Sequence, residues 1–404
     1  MAWTALCLSL ALLALVPLAL IVRQGMADWH YGRGNDLLDA RRWDDAAREF
    51  ESALALNPDQ SQAMNNLGFA YFQRGQLDLA AEYWQASVAL APSSVAARSN
   101  LSVAYSFQKH LSDAVGELNL AMYWAPNEVL LYNHLGLAHL REGRWPEAAQ
   151  AFQEAYRIDP ENVVVLVNLG IADYRQANGS KAINSFESAV KLAPGFAPAQ
   201  LGLGLSYLDS GQLVPATRAL QTATRLTPQS VTAHYYLGLA YYQQQQWDKA
   251  IESLQAASKL APQTAVIRAS LGIIYVEQGK WEAAVDELAT TVKLQPANAS
   301  YHVYLGRAYY GRRMLDQAAS EFSQAIKLDP GLTAAYVMRD ATWLGLGRLN
   351  EAIQDLQAVV QQWPENASAH AYLGQALFLA NKFEQSSAEF ELARRSEFAQ
   401  TDAP

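Results

Sequence analysis

Ten prolines stand at positions 58, 92, 126, 160, 194, 228, 262, 296, 330 and 364, and every step between neighbours is 34 residues. A period this strict restricts the chain to a stack of like units, each meeting its neighbours in the same way. Length alone, at 404 residues, would have suggested two or three ordinary domains. Counting each unit as ending two residues past its proline, the first begins at Ala27. Ten units carry the proline, and an eleventh, Ala367 to Gln400, lacks it.

Other columns keep the same step. Position 7 is leucine in nine of the eleven units, position 8 glycine in nine, and position 20 alanine in ten. Position 24 is large and apolar throughout, from Phe50 and Trp84 to Leu356 and Phe390. Positions 4, 7, 8 and 11 share one face of a first helix, and positions 20, 24 and 27 one face of a second. Glycine facing alanine lets the two backbones approach. The proline lacks an N–H and pushes the residue before it out of the α region, so the second helix must stop there.

These columns resemble the tetratricopeptide repeat, with its W-x₂-L-G-x₂-Y…A-x₃-F…P signature and 34-residue period. The resemblance covers residues 27–400. It implies an all-α, right-handed α-solenoid of eleven helix-turn-helix repeats, beginning at 27, 61, 95, 129, 163, 197, 231, 265, 299, 333 and 367, with a tail at 401–404. The first helices would line an inner groove. Three departures stand out: Arg339 and Asp340 replace Leu and Gly in repeat 10, Asp173 with Tyr174 shifts the tyrosine of repeat 5, and Ser386 replaces the usual alanine of repeat 11. Asp340, at the close-approach column, is expected to loosen its helix pair. The polar second helix of repeat 11 is expected to cap the stack.

The N-terminus reads as a separate object. Ala2 to Val22 carries no charge over 21 residues, and about 20 apolar residues cross a bilayer as a helix. It is too long for a cleaved signal's apolar core and lacks a basic start. The expectation is therefore a single transmembrane anchor, with Pro17 as a tolerated kink. Arg23, Arg33, Arg41 and Arg42 follow it, which would keep the repeats cytoplasmic. Gly25-Met26-Ala27 offers a cleavage site for the alternative, a periplasmic or secreted protein.

Composition excludes several functions. The net charge of -9 argues against non-specific nucleic-acid binding, which needs clustered Lys and Arg. Cys7 is the only cysteine, so no intrachain disulfide or thiolate metal site can form. His234, His302 and His370 share position 4, a packing column, two units apart, and cannot join in one metal site. His134 and His139 are five apart on one helix and do not lie side by side. No zinc-protease, nucleophile-elbow or phosphate-loop motif occurs. No enzyme activity, cofactor or small-molecule substrate is expected. Trp43, Trp145, Trp247 and Trp281 open second helices at position 17 and read as packing. Asn298 and Asn366 begin short glycosylation-type matches.

What remains is a surface for proteins. By the resemblance, positions 2, 5, 6, 9, 12 and 13 face the groove. Position 6 reads Asn66, Asn100, His134 and Asn168 in repeats 2 to 5. An amide offers one donor and one acceptor, which matches a peptide unit of an extended chain. The family's sugar-transferring members use such a ladder, although Asn is also the commonest residue in that column without any ligand. Arg141 and Arg175 at position 13 could pair with a carboxylate, or simply complement the helix dipole. In the second half the face turns aromatic, with Tyr236, Tyr304 and Tyr372 at position 6 and Tyr235, Tyr242 and Tyr310 beside them. Tyrosines favour interfaces, and equally pack between repeats. Position 5 carries no lysine, so the carboxylate clamp of chaperone cochaperones is absent. The expected function is a membrane-tethered scaffold that binds extended peptide segments and assists assembly of a membrane or envelope complex. The alternatives are an exported assembly factor and a regulatory subunit of a separate enzyme, such as a glycosyltransferase or protease.

Overall fold

A computed structural model describes the backbone of residues 2–401 and the side chains of residues 20–396. Among the described residues there are twenty-two helices and no strand, an all-α solenoid of paired helices. First helices such as Ser61–Gln73 and second helices such as Leu77–Leu90 alternate, and first helices start at 61, 95, 129 and onward in steps of 34. In the ten repeats that carry the proline, the second helix ends two residues before it, as at Leu90, with Ala91 as the cap that precedes Pro92. Several first helices are opened by a side chain that accepts a backbone N–H: Ser94, Asn162, Ser230, Asn298 and Asn366. Capping thus accounts for the asparagines of the two glycosylation-type matches.

The turn inside each repeat has one recurring element. The fifteenth residue is left-handed in all eleven repeats: glycine at 75, 143, 211, 279 and 347, and Arg41, Lys109, Ala177, Gln245, Arg313 and Asn381 in the others. Glycine and non-glycine alternate strictly, so the chain also carries a 68-residue period. The non-glycine residues accept a conformation that L side chains rarely adopt.

Packing inside a repeat rests on the position 8 and position 24 columns. A Cβ placed on Gly136 would lie 2.4 Å from the ring of Phe152, which is fully buried. The glycine therefore lets the ring lie against the opposite backbone. The same contact joins Gly34 to Phe50, Gly170 to Phe186 and Gly306 to Phe322.

The chain separates into two compact units, Met1–Ser210 and Gly211–Pro404, and the boundary runs through the sixth repeat. In the first unit the core gathers Phe50, Leu67, Trp84 and Leu101 between successive repeats. In the second, Leu288, Leu305 and Val276 form one such cluster, and Leu356, Leu373 and Leu377 another.

The N-terminal expectation is corrected. No helix among the described residues is long and apolar enough to cross a membrane, so the single-pass membrane location falls. The first helix runs without a break from Ala2 to Asp39 and becomes the first helix of repeat 1. In its described part, polar side chains tie it to the second helix and the following turn. Gln24 accepts from Asn57 at 3.1 Å, Arg23 donates to the Ala55 carbonyl at 3.4 Å, and His30 meets Glu49 at 2.6 Å. Apolar length alone was the misleading signal. Of the expected anchor, Ala2 to Val22, the side chains through residue 19 lie outside those described.

In repeat 11, buried Ser386 donates to the Gly374 carbonyl at 2.8 Å. In repeat 10 the exchanged pair behaves unequally. Arg339 forms an ion pair with Asp355 and lies over the rings of Tyr336 and Trp343. Asp340 is wholly buried, and neither carboxyl oxygen receives a donor among the described residues, with the Asp355 carboxylate as its polar neighbour.

Candidate functional site

The first helices present their side chains in columns, and the column at position 4 is structural. In seven repeats its residue reaches back six positions to the carbonyl of the preceding in-register proline. Arg98 donates to Pro92 at 2.7 Å, Arg268 to Pro262 at 2.7 Å, and Gln200 to Pro194 at 3.1 Å. Tyr132 donates to Pro126 at 3.1 Å, and the Nε2 of His234, His302 and His370 lie 3.0, 3.0 and 2.9 Å from Pro228, Pro296 and Pro364. Several of these residues also grip a carboxylate on the second helix: Arg98 with Glu117, Arg268 with Glu287, His302 with Glu321 and His370 with Glu389. The column 4 histidines are thus ties across the junction between repeats. The proline carbonyl lies in the turn beyond the second helix, outside any helical ladder, and the tie gives it a partner.

The interchange of Arg and His in this column gives a test. His302→Arg should keep the local stability, because arginine makes the same two contacts elsewhere. His302→Leu should cost about 1–3 kcal/mol by orphaning a carbonyl and a carboxylate. Hydrogen exchange of the amides around Pro296 reads the effect locally.

The position 6 ladder is also tied, and its partners lie one repeat back. Asn100 donates to Asn65 at 3.0 Å, and Asn168 to Asn133 at 2.8 Å. Asn66 donates to Asn35 at 2.7 Å and accepts from Asn65 at 3.1 Å. His134 holds the same place with its Nδ1 2.8 Å from the Ser99 hydroxyl. Burial first, and then the charge of Arg141, push the His134 ring down to about 4, so it is neutral at pH 7. The amides are therefore oriented before any ligand arrives. The carboxamide oxygens of Asn100 and Asn168 receive no donor from the described side chains.

Arg141 lies 4.0 Å over the ring of Phe107, and Arg175 lies 5.9 Å over that of Trp145. Neither pairs with a carboxylate among the described residues. Burial lowers the affinity of the Arg141 guanidinium for its proton.

The tyrosines fall into two kinds. Tyr242 donates to Glu277 in the next repeat at 2.8 Å, and burial with that carboxylate holds its hydroxyl at about 12. Tyr235 and Tyr236 stand edge to face at 5.2 Å, and Tyr372 packs on the core of repeats 10 and 11. These are stacking contacts. Tyr304 and Tyr310 each line a cavity, Tyr304 while also packing on the Leu288 and Leu305 cluster. The sequence residues thus form two separate sets, an amide and arginine set in the first unit and a tyrosine set in the second. Sequence reasoning passed over Arg307, although position 9 was among the columns assigned to this face.

Residues 128–341, just over half of the chain, match the family model for the C-terminal domain of cilia and flagella-associated protein 70, a tetratricopeptide-repeat model. Residues 31–95 and 344–403 match two further tetratricopeptide-repeat models. The chain belongs to the tetratricopeptide-repeat family. No curated protein matches it. Among solved structures it is similar to MamA from Desulfovibrio magneticus RS-1, at 27% identity over 42% of this chain and 95% of that one, with a TM-score of 0.40. It is similar to YrrB, described as a tetratricopeptide-repeat protein with an unusual peptide-binding site, at 21% identity over 46% of this chain and 96% of that one, TM-score 0.43. Yeast Tom70 is matched at 16% identity over 92% of each chain, TM-score 0.39. Repeats of this family are protein-interaction scaffolds.

Proposed function

We propose that the chain is a non-enzymatic scaffold that holds extended segments of partner proteins along its first helices and so assists assembly of a multiprotein complex. The observation that supports this most directly is the ladder. Asn100 and Asn168 are fixed by their amide nitrogens to the preceding repeat, and their oxygens have no donor among the described residues. A backbone N–H of an extended segment is the complementary group, and it carries no sequence information. Recruitment of this kind works through raised local concentration and does not need tight binding.

The test is proximity labelling from the full chain against a variant carrying Asn66→Ala, Asn100→Ala and Asn168→Ala. The expected result is a defined set of labelled proteins that falls about tenfold in the variant, the loss expected for one or two hydrogen bonds. Matching melting curves for the two chains separate lost binding from lost folding. An identical labelled set from a folded variant would remove the ladder from the binding surface.

A further inference from the structure

Repeats 8 to 10 carry a feature that the ladder does not explain. Two cavities adjoin there, of about 410 and 440 Å³. The first is mostly apolar, lined by Val303, Tyr304, Leu332 and Ala334. The second holds Trp281, Tyr310 and Arg313. Arg307 and Met338 line both and form their shared wall. The second cavity owes its aromatic wall to Gly311, since a Cβ there would lie 2.3 Å from the Trp281 ring.

The charges in this place are unbalanced. Arg312 pairs with Glu282 at 3.2 Å and Arg339 pairs with Asp355. Arg307 and Arg313, which face the cavities, have no carboxylate partner among the described residues. Arg307 lies 5.5 Å over the ring of Tyr304. A guanidinium that lies over an aromatic ring and lacks a carboxylate partner keeps its planar N–H fork for a carboxylate from outside.

We propose that this double cavity is a subsite for an internal acidic residue of a partner segment, with an apolar side chain filling the neighbouring cavity. In an extended chain alternate side chains point the same way, so the two residues stand two positions apart. Repeats continue on both sides of the cavities, so the segment passes through and a chain end is not required. The proposal rests on the scaffold reading and adds a chemical preference to it.

The experiment uses the full chain and fluorescein-labelled Gly-Ser-Leu-Ser-Glu-Ser-Gly-amide, whose amidated end removes the terminal carboxylate. Fluorescence anisotropy compares it with the peptide carrying Gln for Glu, and with a Gln peptide ending in a free carboxylate. The Glu peptide is expected to bind at least tenfold more tightly than its amidated Gln counterpart, with the difference shrinking as salt is added. Arg307→Gln is expected to erase that difference while leaving the melting curve in place, since Arg307 makes no ion pair within the described residues. Equal binding of the Glu and amidated Gln peptides would overturn the subsite, as would a preference that survives Arg307→Gln, or no binding of any peptide at millimolar concentration. Tighter binding of the free-carboxylate peptide would overturn the internal source in favour of a chain end. Equal Glu and Gln binding would leave the scaffold reading standing, because the ladder experiment tests that in the other unit.

Discussion

Phe152→Ala should destabilise the first unit by about 3–5 kcal/mol, the usual cost of emptying a buried aromatic site. The ring is fully buried, and the backbone of Gly136 lies against it. Gly136→Ala should also destabilise, by about 1–3 kcal/mol, because its methyl group would enter the space of that ring. The two changes should not add. The methyl group introduced at position 136 fills part of the volume that Phe152 vacates, so the double variant should be more stable than the sum of the two losses by about 0.5–3 kcal/mol. Urea unfolding of the four proteins, read together with hydrogen exchange in repeat 4, closes this cycle. Additive losses would mean that the glycine is kept for helix geometry and not for the ring.

Asp340→Gly should do the opposite and stabilise the second unit. The carboxyl of Asp340 is wholly buried, no group among the described residues donates to it, and its polar neighbour is the Asp355 carboxylate. Burial, and then the negative charge of Asp355, push it up to about 9 from an ordinary 3.8. The neighbouring Asp355 is committed to Arg339 and adds repulsion. Between those two values the folded chain holds a proton that the unfolded chain releases. Stability therefore falls as pH rises through that window and is greatest below it. Removing the group should gain about 1–3 kcal/mol at pH 8, the cost of an unsatisfied buried polar group, less roughly 0.3 kcal/mol for exchanging aspartate for glycine in a helix. The gain should diminish toward pH 4, where the unfolded chain keeps the proton as well. Thermal melts of both proteins across that range give the answer, and a gain that does not change with pH would place the strain in packing and not in charge.

Much of the fold was legible because packing writes itself into columns. Ten prolines in register, and a large residue opposite a glycine, already state that two helices meet and where the second one ends. The left-handed residue at position 15 was less visible. Five glycines announce it, whereas Lys109, Ala177 and Gln245 accept the same conformation without any sequence signal. The N-terminal run was read from hydropathy alone, which does not show that Arg23, Gln24 and His30 of the same helix are tied to the second helix of repeat 1 and its end. The candidate site was legible only as a set of columns. That Asn100 is held by Asn65, while Arg307 has no carboxylate partner among the described residues, depends on which side chain of the neighbouring repeat comes within reach. A column pattern is the same in both cases. Asp340 was marked by its departure from glycine, and only the structure shows that Arg339 takes the available carboxylate and leaves Asp340 alone.

The ties at position 4 make this chain editable in whole blocks. Each spans six residues across a junction, from a proline carbonyl to the next first helix. Its second grip, where present, lies within the same repeat, as in His302 with Glu321. Excising residues 263–296 would set His302 six places after Pro262, and the new junction would be knotted as before. A cut of one residue fewer would leave the side chain out of step with the carbonyl and turn the next helix by about 100° against its neighbour. The length of such a chain can therefore grow or shrink in natural or engineered variants by duplication and loss of 34 residues at a time, and frame-breaking intermediates carry the penalty at the seam.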